Sequence, residues 1–230
     1  MGVDSRGCEH NGGMTRSLRA TEKARLRASL RTARAAIDPT ERQDQSDALG
    51  EAVVAHVGRP FADSAGATPR PTVAAYLGVD PEPRTASLLG ELHRLGFGVV
   101  VPICEPAYEL SWGAWTPGIA LERSVRAPVD EPVGPRRQFG DLAPQVALIL
   151  VPALGVDVEG NRIGQGGGYY DRFLARHPID EPGAVPRLGV VYRSEILPSG
   201  VIPAEPYDQQ LTGAFTADGL LRFDRTRDAR

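Results

Sequence analysis

An arginine, an aspartate, two adjacent tyrosines and a run of glycines crowd into one short stretch of this chain. Gly155, Gly160, Gly164, Gly166 and Gly167 lead to Gly168, and with them stand Arg162, Gln165, Tyr169, Tyr170 and Asp171. The chemistry these types suit is phosphate binding. Glycines let backbone N–H groups approach an anion, and an arginine offers several donors to phosphate oxygens. Most glycine clusters are only turns, but a structural turn seldom needs this arginine, aspartate and tyrosine pair. The stretch is not a Walker A loop, because no Gly-Lys-Ser/Thr closes it. Nor is it the dinucleotide fingerprint, since its glycines are too close together and too far from the preceding strand.

The elements that must position this loop flank it. Val146 to Val151 is an apolar, β-branched run stopped by Pro152, the pattern of a buried parallel strand. From Tyr169 to Arg176 the apolar spacing turns helical, and Pro178 ends it. A strand, a glycine-rich loop and a helix N-terminus place the positive end of a helix dipole beside the loop.

A second set of cations lies near the N-terminus. Residues 17–37 read as a helix with Leu26, Leu30, Ala33 and Ile37 on one face and Lys23, Arg25, Arg27, Arg31 and Arg34 around the remainder. Such a run is usually a solvated basic face. Lys23 and Arg27, at i and i+4, share a side and are spaced to grip one polyphosphate.

The other elements follow in order. Asp38, Pro39 and Glu41 suit the N-cap, N1 and N3 of a second helix running to about Val57, with Leu49, Val53 and Val57 inward and Gly58 ending it. Thr72 to Leu77 reads as the first strand. Thr85 is expected to cap a helix carrying Leu88, Leu89, Leu92 and Leu95, and residues 97–102 form the next strand. This order implies a parallel, right-handed crossover, with ligands gathering at the carboxyl ends of the strands, near Asp80 and Glu82. Alone, Glu82 reads as a loop carboxylate. Residues 108–116 alternate as a hairpin or edge strand, with Trp112 and Trp115 as packing residues. Residues 188–192 and 212–216 complete the strands. Residues 1–16 are expected to be a disordered extension, with Met1 or Met14 as the start, 17–222 a single domain and 223–230 a disordered tail.

Composition narrows the class. A chain of 230 residues, 41% hydrophobic and 24% charged, suits one globular domain. A net charge of −3 gives no ground for a nucleic-acid surface, and no apolar run approaches the length of a membrane span. Cys8 and Cys104 are too few for a disulfide framework or a cysteine metal site. The absence of a hydrophobic leader and the sparse cysteines point to a reduced cytoplasm.

Val151-Pro152-Ala153-Leu154-Gly155-Val156-Asp157, followed by Gly160-x-Arg162-Ile163-Gly164-x-Gly166-x-Gly168-Tyr169-Tyr170-Asp171-Arg172, resembles the signature of the 5-formyltetrahydrofolate cyclo-ligase (5,10-methenyltetrahydrofolate synthetase) family. Lys23-x-x-Leu26-Arg27 resembles that family's N-terminal basic motif. The resemblance implies a three-layer αβα fold with a mainly parallel open sheet, Rossmann-like in the manner of sugar-phosphate isomerases and CoA transferases. It implies ATP-dependent cyclisation of 5-formyltetrahydrofolate to 5,10-methenyltetrahydrofolate through a phosphorylated formyl group. Lys23, Arg27 and Arg162 would be the catalytic cations, and ATP would lie against them and against Gly164, Gly166, Gly167, Gly168 and Tyr170. The folate would meet Leu77, Glu82, Gln165, Gly166, Gly167, Gly168 and Tyr169. Asp171 and Asp208 would hold Mg²⁺; as a bare residue, Asp208 reads as a surface turn. Pro81, Arg84 and Tyr207 depart from the family pattern, Tyr207 standing where a histidine is usual.

Two rival classes stand beside this reading. One is another enzyme on the same architecture, an isomerase or acyl-CoA transferase, which would need an acid/base or a glutamate nucleophile in place of Lys23 and Arg27. The other is a folate- or nucleotide-binding protein without turnover. The cyclo-ligase reading carries the further expectation of a cytoplasmic monomer acting on small molecules, with no nucleic-acid or membrane partner.

Overall fold

The structure, a computed structural model, describes residues 10–61, 71–181, 183–205 and 208–223. Its elements run α1 (His10–Ala35), α2 (Pro39–Gly58), β1 (Thr72–Ala74), α3 (Ala86–Arg94), β2 (Gly98–Glu105), β3 (Glu109–Ala114), β4 (Leu121–Arg123), β5 (Asp130–Pro132), β6 (Arg136–Arg137) and α4 (Phe139–Leu142). They continue with β7 (Val146–Pro152), β8 (Gly155–Asp157), β9 (Arg162–Ile163), α5 (Tyr169–Arg176), β10 (Arg187–Val190), β11 (Ile196–Leu197), β12 (Gly213–Thr216) and β13 (Gly219–Arg222).

The main sheet has the order β13-β12-β10-β7-β1-β2-β3-β6. Its middle, from β12 across to β2, is parallel throughout. The additions β13, β3 and β6 are antiparallel. Strand β7 lies at the centre, which accounts for its unbroken apolar run: Leu148 and Leu150 face one layer, Ile149 and Val151 the other. On the first side α2 and α3 contribute Leu49, Val53, Val57, Leu88, Leu89 and Leu92. On the second, Phe139 and Phe173 pack around Trp112, which is fully buried. The expected three-layer α/β fold with a mainly parallel sheet is the observed one.

Several local expectations are met and some are corrected. Asp38 caps α2 as its residue type suggests, accepting from Thr40 N at 2.8 Å and Glu41 N at 3.4 Å. Thr85 does not cap α3 with its side chain. Its hydroxyl instead donates to Tyr76 O at 2.6 Å and accepts from Gly78 N at 3.0 Å, closing the loop that follows β1. Helix α1 begins at His10, within the stretch expected to be an extension. Phe223, placed in the expected tail, is buried, and its N–H donates to Thr212 O.

The glycine-rich stretch is more ordered than a loop. β8 and β9 form an antiparallel hairpin inside it, and β11 joins β8 to make a small sheet beyond the carboxyl ends of β7 and β10. Leu30 of α1 packs with Leu154, Ile163 and Ile202 on this small sheet. Helix α1 therefore belongs to neither covering layer. It lies across the carboxyl end of the parallel strands, where ligands of such sheets bind.

Candidate active site

Four cations of α1 point at this end of the sheet. Lys23, Arg27, Arg31 and Arg34 recur at i, i+4, i+8 and i+11, close to one helical face. Lys23 Nζ lies 2.6 Å from Asp208 Oδ2 and 2.9 Å from Glu205 Oε2. Burial opposes its charge, but the hydrogen bonds to Asp208 and Glu205 outweigh that and hold its pKa above the ordinary lysine value. Arg27 Nε donates to Gly164 O at 3.1 Å, and Arg31 donates to Gln165 O at 2.6 Å and to Gln165 Oε1 at 3.0 Å. Arg34, 2% exposed, holds Glu195 through Nε at 2.5 Å and Nη2 at 2.7 Å, and Nη2 also reaches Ala153 O. Helix α1 is thus fastened to the glycine loop by charged side chains, with Leu30 as its apolar foot. The expected apolar stripe is corrected here: Ala33 is exposed, while Lys23 and Arg34 are buried.

Arg162 stands on β9 and is anchored from both sides. Its Nη1 donates to Pro152 O at 3.0 Å, and its Nη2 pairs with Asp171 Oδ1 in the first turn of α5. The hairpin that presents it is locked by Asp157, fully buried, which accepts from the N–H groups of Glu159 and Asn161 and from Asn161 Nδ2. Gly160 turns the hairpin with φ +86°. At Gly164 a Cβ would come within 2.5 Å of Arg162 Nη1, so a side chain there would push the guanidinium off its anchors.

The glycine loop that follows is exposed at Gln165, Gly166 and Gly167. Among the described residues, none accepts the N–H groups of these three. Because the carbonyls of Gly164 and Gln165 are drawn to α1, the trans peptide turns the next N–H groups the opposite way. The N–H groups of Gln165 and Gly166 are thus left as free backbone donors shortly before α5, whose cap is Gly168 in the left-handed region.

On the other side of the loop lies the segment after β1. Glu82 accepts from Val79 N at 3.2 Å and from Gln165 Nε2 at 3.1 Å, so it touches the glycine loop directly. Of the residues that depart from the family pattern here, Arg84 fastens the segment to α2, while Pro81 is held by Tyr192, beyond β10. Arg84 reaches Ser46 and Gln43, Arg42 holds Asp80, and Tyr192 OH donates to Pro81 O at 3.3 Å. Leu77 packs against the apolar cluster beneath.

The structure therefore gathers Lys23, Arg27, Glu82, Arg162, Gly164 to Gly168, Tyr169, Tyr170 and Asp171 at one end of the sheet. Asp208 closes a turn, its N–H donating to Glu205 O at 2.9 Å, and its carboxylate is held by Lys23 and by Glu205 N. It is not joined to Asp171, because each carboxylate has its own cation. Among the described residues no group of three or more metal-ligating side chains occurs. Mg²⁺ takes one or two carboxylates and fills its remaining positions with phosphate and water, so either carboxylate alone is chemically sufficient. Tyr207 lies outside the described residues. Tyr169 faces away from the cations, toward Tyr108 at 5.6 Å between ring centres and toward Cys104. Burial pushes the Cys104 thiol up to about 12, so it is no nucleophile. Sequence reasoning missed Arg31, Arg34 and Glu195. The signal was available for the two arginines, at i+8 and i+11 from Lys23, but Arg31 is exposed like any residue of a solvated face, and a charged residue such as Arg34 is ordinarily read as exposed.

Fold and site together define an α/β protein that collects cations and backbone N–H donors where its parallel strands end. A profile of the 5-formyltetrahydrofolate cyclo-ligase family matches residues 19–217. The chain belongs to the 5-formyltetrahydrofolate cyclo-ligase family. It is 33% identical to the 5-formyltetrahydrofolate cyclo-ligase of Mycolicibacterium smegmatis over 201 residues, covering 84% of this chain and 93% of that protein. With the Escherichia coli K12 enzyme of the same name it shares 28% identity over 151 residues, 63% of this chain and 77% of that one. The solution structure of Aquifex aeolicus 5,10-methenyltetrahydrofolate synthetase superposes with a TM-score of 0.65 at 25% identity, covering 90% of this chain and 94% of that one.

Proposed function

We propose that this protein converts 5-formyltetrahydrofolate to 5,10-methenyltetrahydrofolate at the expense of ATP, releasing ADP and phosphate. The observation that carries the site assignment is what joins at the glycine loop: Arg27 of α1 donates to Gly164 O, Arg162 is anchored on Asp171 at the start of α5, and the N–H groups of residues 165–167 have no acceptor among the described residues.

The chemistry requires such a place. A formyl oxygen is a poor leaving group until it is phosphorylated. Transfer of the γ-phosphoryl group to that oxygen makes an imidate-like phosphate, and N10 of the folate then attacks the formyl carbon. The C–O bond breaks with its electron pair leaving on phosphate, N10 loses its proton, and the ring closes. Phosphoryl transfer of this kind asks for positioning and charge neutralisation more than for a nucleophilic side chain. Lys23, Arg27 and Arg162 offset the phosphate charge. Gly164, Gly166, Gly167 and Gly168 donate from the backbone, and Tyr170 packs behind them. Glu82, Gln165 and Leu77 hold the folate side, with Tyr169 at its margin. Asp171 and Asp208 would hold Mg²⁺, which supplies further charge neutralisation on phosphate oxygens when bound. Each carboxylate has an oxygen to spare: Asp171 Oδ2 and Asp208 Oδ1 have no donor among the described residues.

The reaction so written needs only two small molecules, ATP and 5-formyltetrahydrofolate, as partners. No described helix is long and apolar enough to cross a membrane. The test is stoichiometric. Purified protein given both substrates and Mg²⁺ should release one ADP for each methenyltetrahydrofolate formed. ADP release that ignores the folate, or binding of folate without any ADP, would contradict the proposal.

A further inference from the structure

Buried polar atoms without partners cluster behind the glycine loop. Among the described residues, the hydroxyls of Tyr76 and Tyr170 and Nη1 of Arg34 are sealed from solvent with no hydrogen-bond partner. Leaving such groups unmet costs desolvation free energy, and native structures keep few of them. Tyr76 is the buried residue just before Leu77. Its carbonyl is held by Thr85 Oγ1, and its ring packs in the apolar cluster with Leu49 and Val53. Its hydroxyl lies within electrostatic reach of Glu82, Arg34, Tyr170 and Glu195. Burial, and then the charge of Glu82, push its pKa well above the ordinary tyrosine value, so the hydroxyl stays neutral and can both donate and accept. The bridge between this segment and the glycine loop is a single exposed hydrogen bond, Gln165 Nε2 to Glu82 Oε1. Glu82, within electrostatic reach of both Tyr76 and Arg34, is thus held to the loop by one contact that a ligand amide can replace.

We propose that Tyr76 is a specificity-determining contact of the folate site, its hydroxyl hydrogen-bonding the polar edge of the folate's bicyclic ring beside Nη1 of Arg34. This rests on the cyclo-ligase reading. The ring edge of a reduced folate carries N–H donors next to a carbonyl acceptor. Glu82 accepts, Arg34 donates, and Tyr76 does either, so the three match that edge. Adenine has no carbonyl there, and its phosphates belong on the Lys23 and Arg27 face.

The test is Tyr76→Phe in the full chain, with steady-state kinetics and thermal melting with and without 5-formyltetrahydrofolate. The variant should raise KM for the folate about tenfold and leave KM for ATP unchanged. Its melting temperature without ligand should equal or exceed that of the wild type, because an unmet buried hydroxyl has been removed. The rise in melting temperature on adding folate should shrink. A folate KM and folate-induced rise at wild-type values would overturn the proposal. So would a lower melting temperature without ligand, which would mark the hydroxyl as a structural group. If the wild type shows no ATP-dependent turnover, the cyclo-ligase reading itself fails, and this proposal with it.

Discussion

Arg162 commits its two terminal nitrogens to different partners, a strand-end carbonyl and the Asp171 carboxylate, so its plane is fixed by the fold. Arg162→Ala is expected to lower kcat/KM by about 10²–10³, the usual cost of one preorganised donor. The fold should survive, because Asp171 is 48% exposed and water can rehydrate it. Kinetics and thermal melting on the same preparation separate the two effects, and wild-type kinetics would remove Arg162 from the phosphate site. Lys23 is a different case, since its partners Glu205 and Asp208 are both largely buried. Lys23→Met should cost about 1–3 kcal/mol by leaving those carboxylates unpaired. The pH dependence has a definite sign. Lys23 is held above its ordinary value of 10.5, so the stability it contributes is fully present below 10.5 and is lost as pH rises through the raised value. Urea midpoints of variant and wild type should keep a constant gap through neutral pH and converge only above 10.5. A gap that closed at neutral pH would contradict the pairing.

Helix α1 is the element on which the site depends most. Lys23, Arg27, Arg31 and Arg34 reach the glycine loop, Glu205, Asp208 and Glu195, while Leu30 is the buried apolar residue that seats the helix on Leu154, Ile163 and Ile202. Leu30→Ala should therefore cost about 2–4 kcal/mol of stability and also raise KM for ATP, because every cation on the face shifts with the helix. Loss of stability with ATP kinetics unchanged would show that α1 does not position the cations. This helix was legible in the sequence as a helix, and the shared side of Lys23 and Arg27 followed from their i, i+4 spacing. Its buried face was not. Arg34 is buried because Glu195, 161 residues away, and Ala153 O meet it there, and no local pattern carries that information. The small sheet of β8, β9 and β11 was hidden for another reason. Its strands are two or three residues long, too short for periodicity to register. Thr85 misled in the opposite way: a residue suited to capping was taken by Tyr76 O and Gly78 N instead.

At the scale of the whole molecule, the parallel order β12-β10-β7-β1-β2 puts every strand's carboxyl end on one side. The glycine loop after β7, the Glu82 segment after β1 and the Glu195 segment after β10 all emerge there, and α1 closes over them. This much followed from apolar runs and the turn residues between them, because a parallel sheet covered on both faces leaves an unbroken hydrophobic signature. The glycines and Arg162 were equally plain, since their types are unusual for a simple turn. The contact between Glu82 and Gln165, 83 residues apart, needed the assembled fold. The central claim is that this assembly makes methenyltetrahydrofolate from 5-formyltetrahydrofolate with ATP as the driving reagent. The most direct measurement is the absorbance of methenyltetrahydrofolate when purified protein meets 5-formyltetrahydrofolate and Mg²⁺, with and without ATP. A rise that requires ATP is the expected result. Tight folate binding with no rise in either arm would contradict it and leave a binding protein in place of an enzyme.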